Sequence, residues 1–472
     1  MSLLVRNLDH VVTLDDQGTV LKNVDIRVDG NRITAIGKGL SAEGADVIDG
    51  SGRIALPGMV NTHHHLFQSL TRCVPAVQDE ELFGWLTTLY TIWQDLTPEG
   101  VYAGTLLGLA ELLLTGCTTS TDMYYLFPRS GPPDMFDQQI RAANDLGIRF
   151  HPTRGSMSMG KSQGGLPPDD VCQDEDVIMA DCERIIKQYH DPDPLGMVKI
   201  ALAPCAPFTV TQQLMKDSVT LARRNGVRLH THLAETKDEE VYCQERYGCR
   251  PFEFVERLGW VGSDVWFAHA VYLNQREIDT CGKTGTGIAH CPVSNMRLGS
   301  GIAPIPEMLA AGVPVGLGVD GSSSNDSGDM LGEVRACLLS HRIRTGVKSM
   351  TAERALRVGI QGGARVLGYS DIGTLAPGKA ADFIVVNLNQ IGYACASVHD
   401  PVAALVMTGD SHVVETSVVN GRVVVKDGRL ALIPEDRVIS LANRVASEML
   451  QKAHKRTGID YWKRREAPLH AS

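Results

Sequence analysis

Several features that would place this chain in a specialised class are missing from its sequence. Its 11 cysteines are scattered, and no two of them form a Cys-x-x-Cys pair, which argues against a disulfide framework or a structural zinc ribbon. No run of residues approaches the roughly 20 apolar residues that a membrane span needs, and the N-terminus lacks the apolar core of a signal peptide. We therefore expect a cytoplasmic protein that does not associate with membranes.

Positive charge is also in deficit. The chain has 45 Lys and Arg against 55 Asp and Glu, which gives a formal net charge of -10 at pH 7. Because affinity for a phosphate backbone needs clustered Lys and Arg, we expect no nucleic-acid partner. The remaining composition, 43% hydrophobic and 21% charged residues over 472 positions, predicts a globular protein with a large buried core.

The two ends of the chain have a different texture from its middle. Residues 1–57 and 373–434 alternate strand-like runs with turn signals. Since isolated hairpins are only marginally stable, we predict that these two segments pack together as one small discontinuous β-sandwich. Residues 435–472 are predicted to form a helical tail that is either solvated or a subunit contact, and we expect a homo-oligomer, a dimer or larger.

The middle segment, residues 58–372, repeats a short apolar strand, a loop and a helix. Strands are predicted before His63 and at 118–123, 149–153, 199–203, 228–233, 265–268, 287–290 and 315–319. Helices are predicted at 99–115, 134–146, 176–189 and 211–225, the last ended by Gly226. Eight such units predict an α/β fold of the (β/α)8 TIM-barrel type, with its catalytic groups at the carboxyl ends of the strands. The long connection 154–175 lies on that face, and we expect it to form a lid or a pocket wall.

Metal-ligand side chains occur at the predicted strand ends. His63 and His65 are two residues apart on a strand and therefore point the same way, while His232 and Asp320 end two later strands. Three imidazole nitrogens and one carboxylate oxygen suit Zn²⁺ and tolerate Fe²⁺. We therefore predict one such ion per chain, with a coordination position left for water.

Further polar groups lie beside this set. Glu235, just past the end of its strand, is the natural proton carrier to a leaving amine, and Asp320 could receive the proton of the water first. His269 ends the next strand and could stabilise an oxyanion or relay a proton. His64 faces the opposite side of its strand and His230 lies one layer deeper, so we expect structural roles for both.

These motifs are similar to those of the amidohydrolase superfamily, in its branch of mononuclear metal-dependent deaminases and triazine hydrolases. The likeness spans residues 1 to about 435, and its motifs are Pro-Gly-Met-Val-Asn-Thr-His-His-His at 57–65, His-Thr-His-Leu-Ala-Glu at 230–235, Ala-His at 268–269 and Gly-Val-Asp-Gly-Ser-Ser-Ser-Asn-Asp at 318–326. The resemblance implies the same roles: metal ligands His63, His65, His232 and Asp320, proton shuttle Glu235 and water-activating His269. It also implies a single metal, because Lys199 lies at the start of the fourth strand and not at its end, where binuclear members carry a carboxylated lysine.

Longer stretches narrow the expected substrate. Residues 81–90, 154–158, 164–169 and 291–296 resemble the group of 8-oxoguanine deaminases, which implies a hydrolase acting on C–N bonds of cyclic amidines and converting 8-oxoguanine to urate and ammonia. Hydroxytriazine aminohydrolases share almost the same metal motifs, so removal of an amine from a hydroxylated s-triazine stays open. A more distant alternative is a barrel that has lost catalysis and serves as a scaffold, against which the intact ligand and shuttle positions speak.

A flat, nitrogen-rich heterocycle suits aromatic and amide side chains. The pocket candidates are Gln68, Trp85, Tyr90, Met123, Arg154 and Phe208, with Cys205 and Cys291 as further lining candidates near strand ends. Ordinary core packing is an equally good interpretation of each. Arg154 is expected to donate a hydrogen bond to the 8-oxo group, because it lies where the third strand ends and the long connection begins.

Overall fold

The computed structural model describes residues 2–408 and 414–464. Its strands are β1 (Ser2–Val12), β2 (Val20–Asp29), β3 (Arg32–Gly37), β4 (Asp46–Asp49), β5 (Arg53–Pro57), β6 (Met59–Asn61), β7 (His64–His65), β8 (Cys117–Tyr124), β9 (Arg149–Ser156), β10 (Ala201–Pro204), β11 (Arg228–Leu233), β12 (Val265–His269), β13 (Gly287–His290), β14 (Val315–Leu317), β15 (Asp320–Gly321), β16 (Phe383–Asn387), β17 (Val414–Val419), β18 (Arg422–Lys426) and β19 (Arg429–Leu430). Residues 409–413 of the predicted second β segment and 465–472 of the predicted tail lie outside the described residues.

Helices connect and surround these strands. They are α1 (Leu82–Trp93), α2 (Pro98–Leu114), α3 (Asp137–Leu146), α4 (Glu175–Tyr189), α5 (Gln212–Asn225), α6 (Lys237–Tyr247), α7 (Pro251–Arg257), α8 (Gln275–Thr284), α9 (Pro292–Arg297), α10 (Ile305–Ala310), α11 (Met330–Thr345), α12 (Ala352–Arg357), α13 (Gly363–Leu367), α14 (Ala396–His399), α15 (Pro401–Met407) and α16 (Glu435–Thr457). No helix of the described residues is both long and apolar enough to cross a membrane.

Eight parallel strands close into a barrel, in the order β10, β11, β12, β13, β14, β6, β8 and β9. The predicted (β/α)8 fold is therefore confirmed. The four predicted helices correspond to α2, α3, α4 and α5, and Gly226 ends α5 with a φ of 65°, a left-handed conformation that glycine adopts without strain. The differences lie at the ends of elements: β10 begins at Ala201, β9 continues to Ser156 and α3 begins at Asp137, three residues later than predicted.

Side chains of the barrel strands alternate between the interior and the surrounding helices. On β9, His151 points inward, with its ring centroid 6.0 Å from that of Trp266. The Trp266 indole in turn donates a hydrogen bond across the barrel to the carbonyl of Thr62, at 3.0 Å. Arg154, three positions after His151 and thus of opposite parity, points outward to Asp181 on α4.

The two ends of the chain form one nine-stranded sheet, in which β16 from the C-terminal segment pairs antiparallel with β5 from the N-terminal segment. Ile54 and Leu56 on β5 face the barrel, whereas Ala55 between them packs into a separate core with Phe383 and Val385. The prediction of a small β domain assembled from both ends is thereby confirmed. The boundaries predicted at 57/58, 372/373 and 434/435 stay predictions.

A buried ion pair joins the barrel to the β domain. Arg149, the first residue of β9, donates from Nε to Asp382 Oδ2 at 2.7 Å, and both side chains are at most 1% exposed. The guanidinium also donates to the carbonyls of Leu195 and Gly196, and Asp382 accepts from the backbone N–H of Asn420 at 2.6 Å. The charges are therefore surrounded by hydrogen bonds on both sides, which offsets the loss of water.

Replacing Arg149 should destabilise the fold strongly. Arg149→Met leaves the Asp382 carboxylate buried without its counter-charge, and breaking such a pair costs about 3–5 kcal/mol of the free energy of unfolding, measured by urea denaturation. The matched control is Arg223→Met, which breaks a largely exposed pair with Asp264 and should cost about 1 kcal/mol or less. Equal losses in the two variants would contradict this role for Arg149.

Candidate metal centre and active site

Imidazoles and carboxylates converge at the carboxyl ends of the barrel strands. The group comprises His63, His65, His232, His269, Glu235 and Asp320, all at most 9% exposed. Ligand atoms of His63, His232, His269 and Asp320 lie within 4.8 Å of one another. The Nε2 atom of His65 is 3.3 Å from Asp320 Oδ1 and 3.0 Å from His232 Nε2. The structure thus brings together every residue that was predicted to bind the metal or to move protons.

Left-handed backbone at the strand ends aims these side chains. Ala234, His269 and Asp320 have φ values of 52°, 70° and 61°, a region that side chains other than glycine rarely adopt. Each follows or ends a barrel strand, so the chain turns sharply at the mouth and does not continue outward. The short parallel pairing of β7 with β15 then sets Asp320 opposite His64 and beside His65.

Backbone carbonyls determine the tautomers of two imidazoles. His65 Nδ1 donates to the carbonyl of Met123 at 2.8 Å, and His232 Nδ1 donates to the carbonyl of Cys205 at 2.7 Å. Because a carbonyl can only accept, each Nδ1 carries the proton and each Nε2 carries a lone pair. The two Nε2 atoms face each other at 3.0 Å, where a single cation could accept both lone pairs.

His230 fixes the tautomer of His63 in the same way. Its Nδ1 donates to the carbonyl of Trp266 at 2.9 Å, so its Nε2 accepts from His63 Nδ1 at 2.8 Å. His63 Nε2 is therefore also a lone pair. It is fully buried, lies 3.3 Å from Asp320 Oδ1 and has no hydrogen-bond partner within residues 2–408 and 414–464. His230 is a core histidine as expected, and in addition it orients a site residue.

These donors fit a divalent metal ion. In a tetrahedral zinc site with bonds of about 2.0–2.1 Å, neighbouring ligand atoms are about 3.4 Å apart, and here the pairs His63–Asp320, His65–Asp320 and His65–His232 are 3.0–3.3 Å apart. Burial lowers the pKa of His63 and His232 well below the ordinary histidine value, which favours the neutral form that binds metal. Three converging lone pairs beside a carboxylate form a donor set that can hold a metal ion.

Two carboxyl groups of the site have opposite electrostatic environments. Burial, reinforced by the nearby charge of Asp320, raises the pKa of Glu235 well above its ordinary value. Asp320 lies 3.3 Å from the Nε2 lone pairs of His63 and His65, so a cation held by these three groups would keep its carboxylate ionised. Glu235 is thereby suited to carry a proton, and Asp320 to remain ionised.

Neighbouring side chains orient His269 and Asp320. His269 Nδ1 lies 3.0 Å from Asn295 Oδ1, which leaves its Nε2 facing Glu235 Oε2 at 3.6 Å. Asp320 Oδ2 accepts from Ser294 Oγ at 2.6 Å and from Ser324 Oγ at 3.1 Å. Sequence reasoning missed these serines and Asn295, although they stand in the motifs at 291–296 and 318–326 that supported the resemblance.

A small cavity opens beside these groups. Apart from the metal-ligand and proton-transfer groups, its lining residues are Gln68, Leu82, Trp85, Leu86, Tyr90, Tyr125, Cys205, Ala206, Phe208, Leu298 and Ser324. The predicted pocket residues Gln68, Trp85, Tyr90 and Phe208 are among them, and so is Cys205. Gln68 Nε2 donates to Tyr125 Oη at 3.2 Å, while Gln68 Oε1 is buried and has no hydrogen-bond partner among the described residues.

The structure corrects the prediction for Arg154. Its guanidinium donates to Asp181 at 2.9 Å and to Gln173 at 2.7 Å, and lies 3.8 Å over the ring of Phe127. Because β9 continues to Ser156, Arg154 lies within the strand and has outward parity. It is a structural ion-pair residue that does not reach the cavity.

Three other pocket predictions also need correction. Cys291 is fully buried and is not among the described residues that line the cavity. Met123 does not line the cavity and contributes its carbonyl to His65. Among the described cavity-lining residues, none comes from 154–175, the expected lid or wall. That segment stands one layer behind the wall, where Met157 Sδ is 3.6 Å from Tyr90 Oη and Leu166 N donates to the carbonyl of Phe208 at 3.3 Å.

The chain is similar to several proteins of known function. The model of the Amidohydrolase family matches residues 54–424. An 8-oxoguanine deaminase of Pseudomonas aeruginosa is 49% identical over 363 residues, 77% of this chain and 80% of that protein. Hydroxydechloroatrazine ethylaminohydrolase of Pseudomonas sp. (strain ADP) is 36% identical over 457 residues, 94% of each chain. The crystal structure of an atrazine chlorohydrolase from Arthrobacter aurescens TC1 complexed with zinc has a TM-score of 0.90 at 38% identity, covering 94% of this chain and 100% of that one.

Removing the acceptor behind His63 should weaken zinc binding. In the wild type the His230 ring stacks on Trp266 with the ring centroids 4.4 Å apart, and His230→Phe keeps an aromatic ring at this position. The variant removes the acceptor of the His63 Nδ1 proton, so the tautomer of His63 is no longer fixed. Loss of such a partner typically costs about 10-fold to 100-fold in metal affinity, measured here as the Zn²⁺ dissociation constant by competition with a chelator.

The matched control for His230→Phe is His151→Phe, because His151 is another buried histidine of the barrel interior and its ring nitrogens have no hydrogen-bond partner in the described part of the chain. Wild type should bind one Zn²⁺ per chain, His151→Phe should bind it equally well, and Asp320→Ala should lose it. Unchanged zinc affinity in His230→Phe would show that the tautomer of His63 is set by other means.

Proposed function

Since this chain belongs to the amidohydrolase family and is a hydrolase of carbon–nitrogen bonds, we propose that it hydrolytically deaminates an oxidised purine, converting 8-oxoguanine to urate and ammonia. The observation that carries the proposal is the position of Glu235, a buried carboxyl group with a raised pKa between the converging metal-ligand set and an aromatic-walled cavity. The 49% identity to an 8-oxoguanine deaminase supports the choice of ring.

We propose that His63, His65, His232 and Asp320 hold one divalent ion, Zn²⁺ or alternatively Fe²⁺. The lone pairs on the three Nε2 atoms support this assignment, as does the zinc in the similar atrazine chlorohydrolase structure. When bound, such an ion lowers the pKa of a water molecule toward neutrality and so supplies a nucleophile.

The chain's own residues account for the proton transfers. Glu235 in its protonated form donates to a ring nitrogen of the substrate, which makes the amine-bearing carbon more electrophilic, and its carboxylate then carries the proton of the newly added hydroxyl group to the leaving amine. Asp320 stays ionised and accepts the proton of the attacking water. His269 donates from Nδ1 to Asn295, which leaves its Nε2 facing Glu235, in position to relay a proton or to donate to a developing oxyanion.

Gln68 is the proposed recognition group for the ring. Its Oε1 is buried, adjoins the cavity and lacks a donor, and an unpaired buried acceptor is costly until a ligand supplies an N–H. The position of that oxygen depends on Gly321, because a Cβ at 321 would lie 1.8 Å from it. The five-membered ring of 8-oxoguanine carries one more N–H than that of guanine, which is the type of group that Gln68 would read.

A second candidate function is deamination of a hydroxylated s-triazine. The 36% identity to the hydroxydechloroatrazine ethylaminohydrolase over 94% of each chain favours it, and Leu82, Leu86 and Leu298 would accommodate an alkyl group of an alkylamine. The non-catalytic scaffold is set aside because the relatives are enzymes and the site groups are intact. The cytoplasmic location and the homo-oligomeric state stay predictions.

The substrate assignment can be tested with a small panel. We expect kcat/KM for 8-oxoguanine to exceed the values for guanine and hydroxyatrazine, by up to about 10⁴-fold if the site pairs the extra N–H, because guanine would leave Gln68 unpaired. Gln68→Met keeps the length of the side chain but removes the acceptor, so it should reduce the preference over guanine.

The control for Gln68→Met is Arg154→Met, which alters a residue outside the cavity and should change all three kcat/KM values by the same small factor. Equal use of guanine by wild type would refute the 8-oxo assignment. Hydroxyatrazine as the best substrate would establish the second candidate instead.

Glu235 can be separated from metal binding. Glu235→Gln preserves shape but cannot carry the proton, so kcat should fall by about 10²-fold to 10⁴-fold while the Zn²⁺ content stays that of wild type. Glu245→Gln, an exposed carboxylate on α6, should leave kcat unchanged. Near wild-type turnover in Glu235→Gln with full metal would assign the proton transfer to another residue.

A further inference from the structure

One short helix, α9, contacts two residues of the site, Asp320 and His269. From α9, Ser294 Oγ donates to Asp320 Oδ2 at 2.6 Å, and Asn295 Oδ1 accepts from His269 Nδ1 at 3.0 Å. A helix of six residues cannot fix its own position, because isolated helices of this length are unstable. The relative placement of Asp320 and His269 therefore depends on whatever anchors α9.

The anchor is a buried carboxylate on α11. Glu333 is 1% exposed; its Oε2 accepts from the backbone N–H of Val293 in the first turn of α9 at 3.3 Å, and its Oε1 accepts from Asn325 Nδ2 at 2.6 Å. Asn325 lies in the loop after Asp320, and its Nδ2 also donates to the carbonyl of Val319 at 2.7 Å. One carboxylate thus ties α9 to the loop that carries Asp320.

The same face of α11 contacts this region a second time. Cys337 and His341 follow Glu333 at intervals of four residues, which places the three on one side of the helix. His341 Nε2 is 3.1 Å from Nε2 of His290, the last residue of β13 and the second residue before α9. The two imidazoles are hydrogen-bonded to each other, so α11 contacts the end of β13 as well as the helix that follows it.

The chemistry of Glu333 favours a geometric role. Both of its hydrogen-bond donors are neutral amides, so the buried carboxyl group gains little charge compensation, and burying it is costly. What a carboxyl group offers here is two acceptor oxygens on one rigid plane, which neither an amide nor an apolar side chain can match. Such a residue suits a position where two backbone segments must be held at a fixed separation.

We propose that Glu333 is a positioning residue for the deamination reaction, which through α9 and the 319–325 loop fixes Asp320 and His269 relative to each other. It touches neither the cavity nor the reacting groups. The inference rests on the roles proposed above for Asp320 and His269.

The test is Glu333→Gln, which keeps the volume but turns one acceptor into a donor that faces another N–H. We expect kcat to fall by about 10-fold to 100-fold and the Zn²⁺ dissociation constant to rise by a similar factor, as for other groups that orient metal ligands. KM should stay close to that of wild type, because the cavity walls are untouched. The matched control is Glu277→Gln, another buried carboxylate, which caps α8 and should change stability but neither kcat nor zinc affinity.

A double-variant cycle with Ser294→Ala distinguishes positioning from general destabilisation. If Glu333 acts through α9, the double variant should be about as slow as the slower single variant, whereas independent effects would multiply. Multiplying effects, or wild-type kcat and zinc affinity in Glu333→Gln, would overturn the proposal. If Glu333→Gln does not fold, Asn325→Ala removes the other partner of the same carboxylate and should give the same two losses.

The zinc measurement also separates this proposal from the proposed function. Competition with a chelator needs no substrate. If the wild type deaminates none of the panel, the proposed function is refuted, but the effect of Glu333→Gln on the Zn²⁺ dissociation constant can still be measured. Conversely, an active wild type with an unaffected Glu333→Gln variant would refute only the positioning role.

Discussion

Hydrogen bonds from Nδ1 atoms set the chemistry of the whole site. His65 and His232 donate to backbone carbonyls, and His63 is held through His230 by a third carbonyl, that of Trp266. These carbonyls belong to β8, β12 and the residue after β10, so their positions follow from closure of the barrel. Because main-chain acceptors in a closed sheet cannot move independently, the lone pairs on the three Nε2 atoms converge before any ligand arrives.

The sequence was informative where side-chain chemistry coincides with a strand end. The apolar runs before His63, His232, His269 and Asp320 predicted both the barrel and the convergence of those side chains, because parallel strands in a barrel all end on one face. The β domain was equally predictable, since Ile54, Ala55 and Leu56 alternate as a strand between two cores must. Local periodicity is sufficient for such features.

The pocket was less predictable for identifiable reasons. Arg154 was misplaced because β9 continues to Ser156, three residues beyond the predicted end, and in a strand a small error of register or length reverses the inferred direction of a side chain. Leu82, Leu298 and Ser324 reach the cavity from loops and short helices after different strands, where no repeating pattern marks the inward face. Tyr125 was the exception that could have been found, because it directly follows β8.

Strained backbone at the site is stabilised by contacts from surrounding buried side chains. The left-handed conformations of Ala234, His269 and Asp320 are unfavourable for residues with a Cβ and persist only where surrounding contacts enforce them. Each has such a contact: the Glu239 carboxylate accepts from the backbone of Ala234 at 3.0 Å and of Glu235 at 2.9 Å, and α9 holds the side chains of the other two. The catalytic geometry therefore depends on buried side chains that never meet a substrate, and these form a second set of residues that the function constrains.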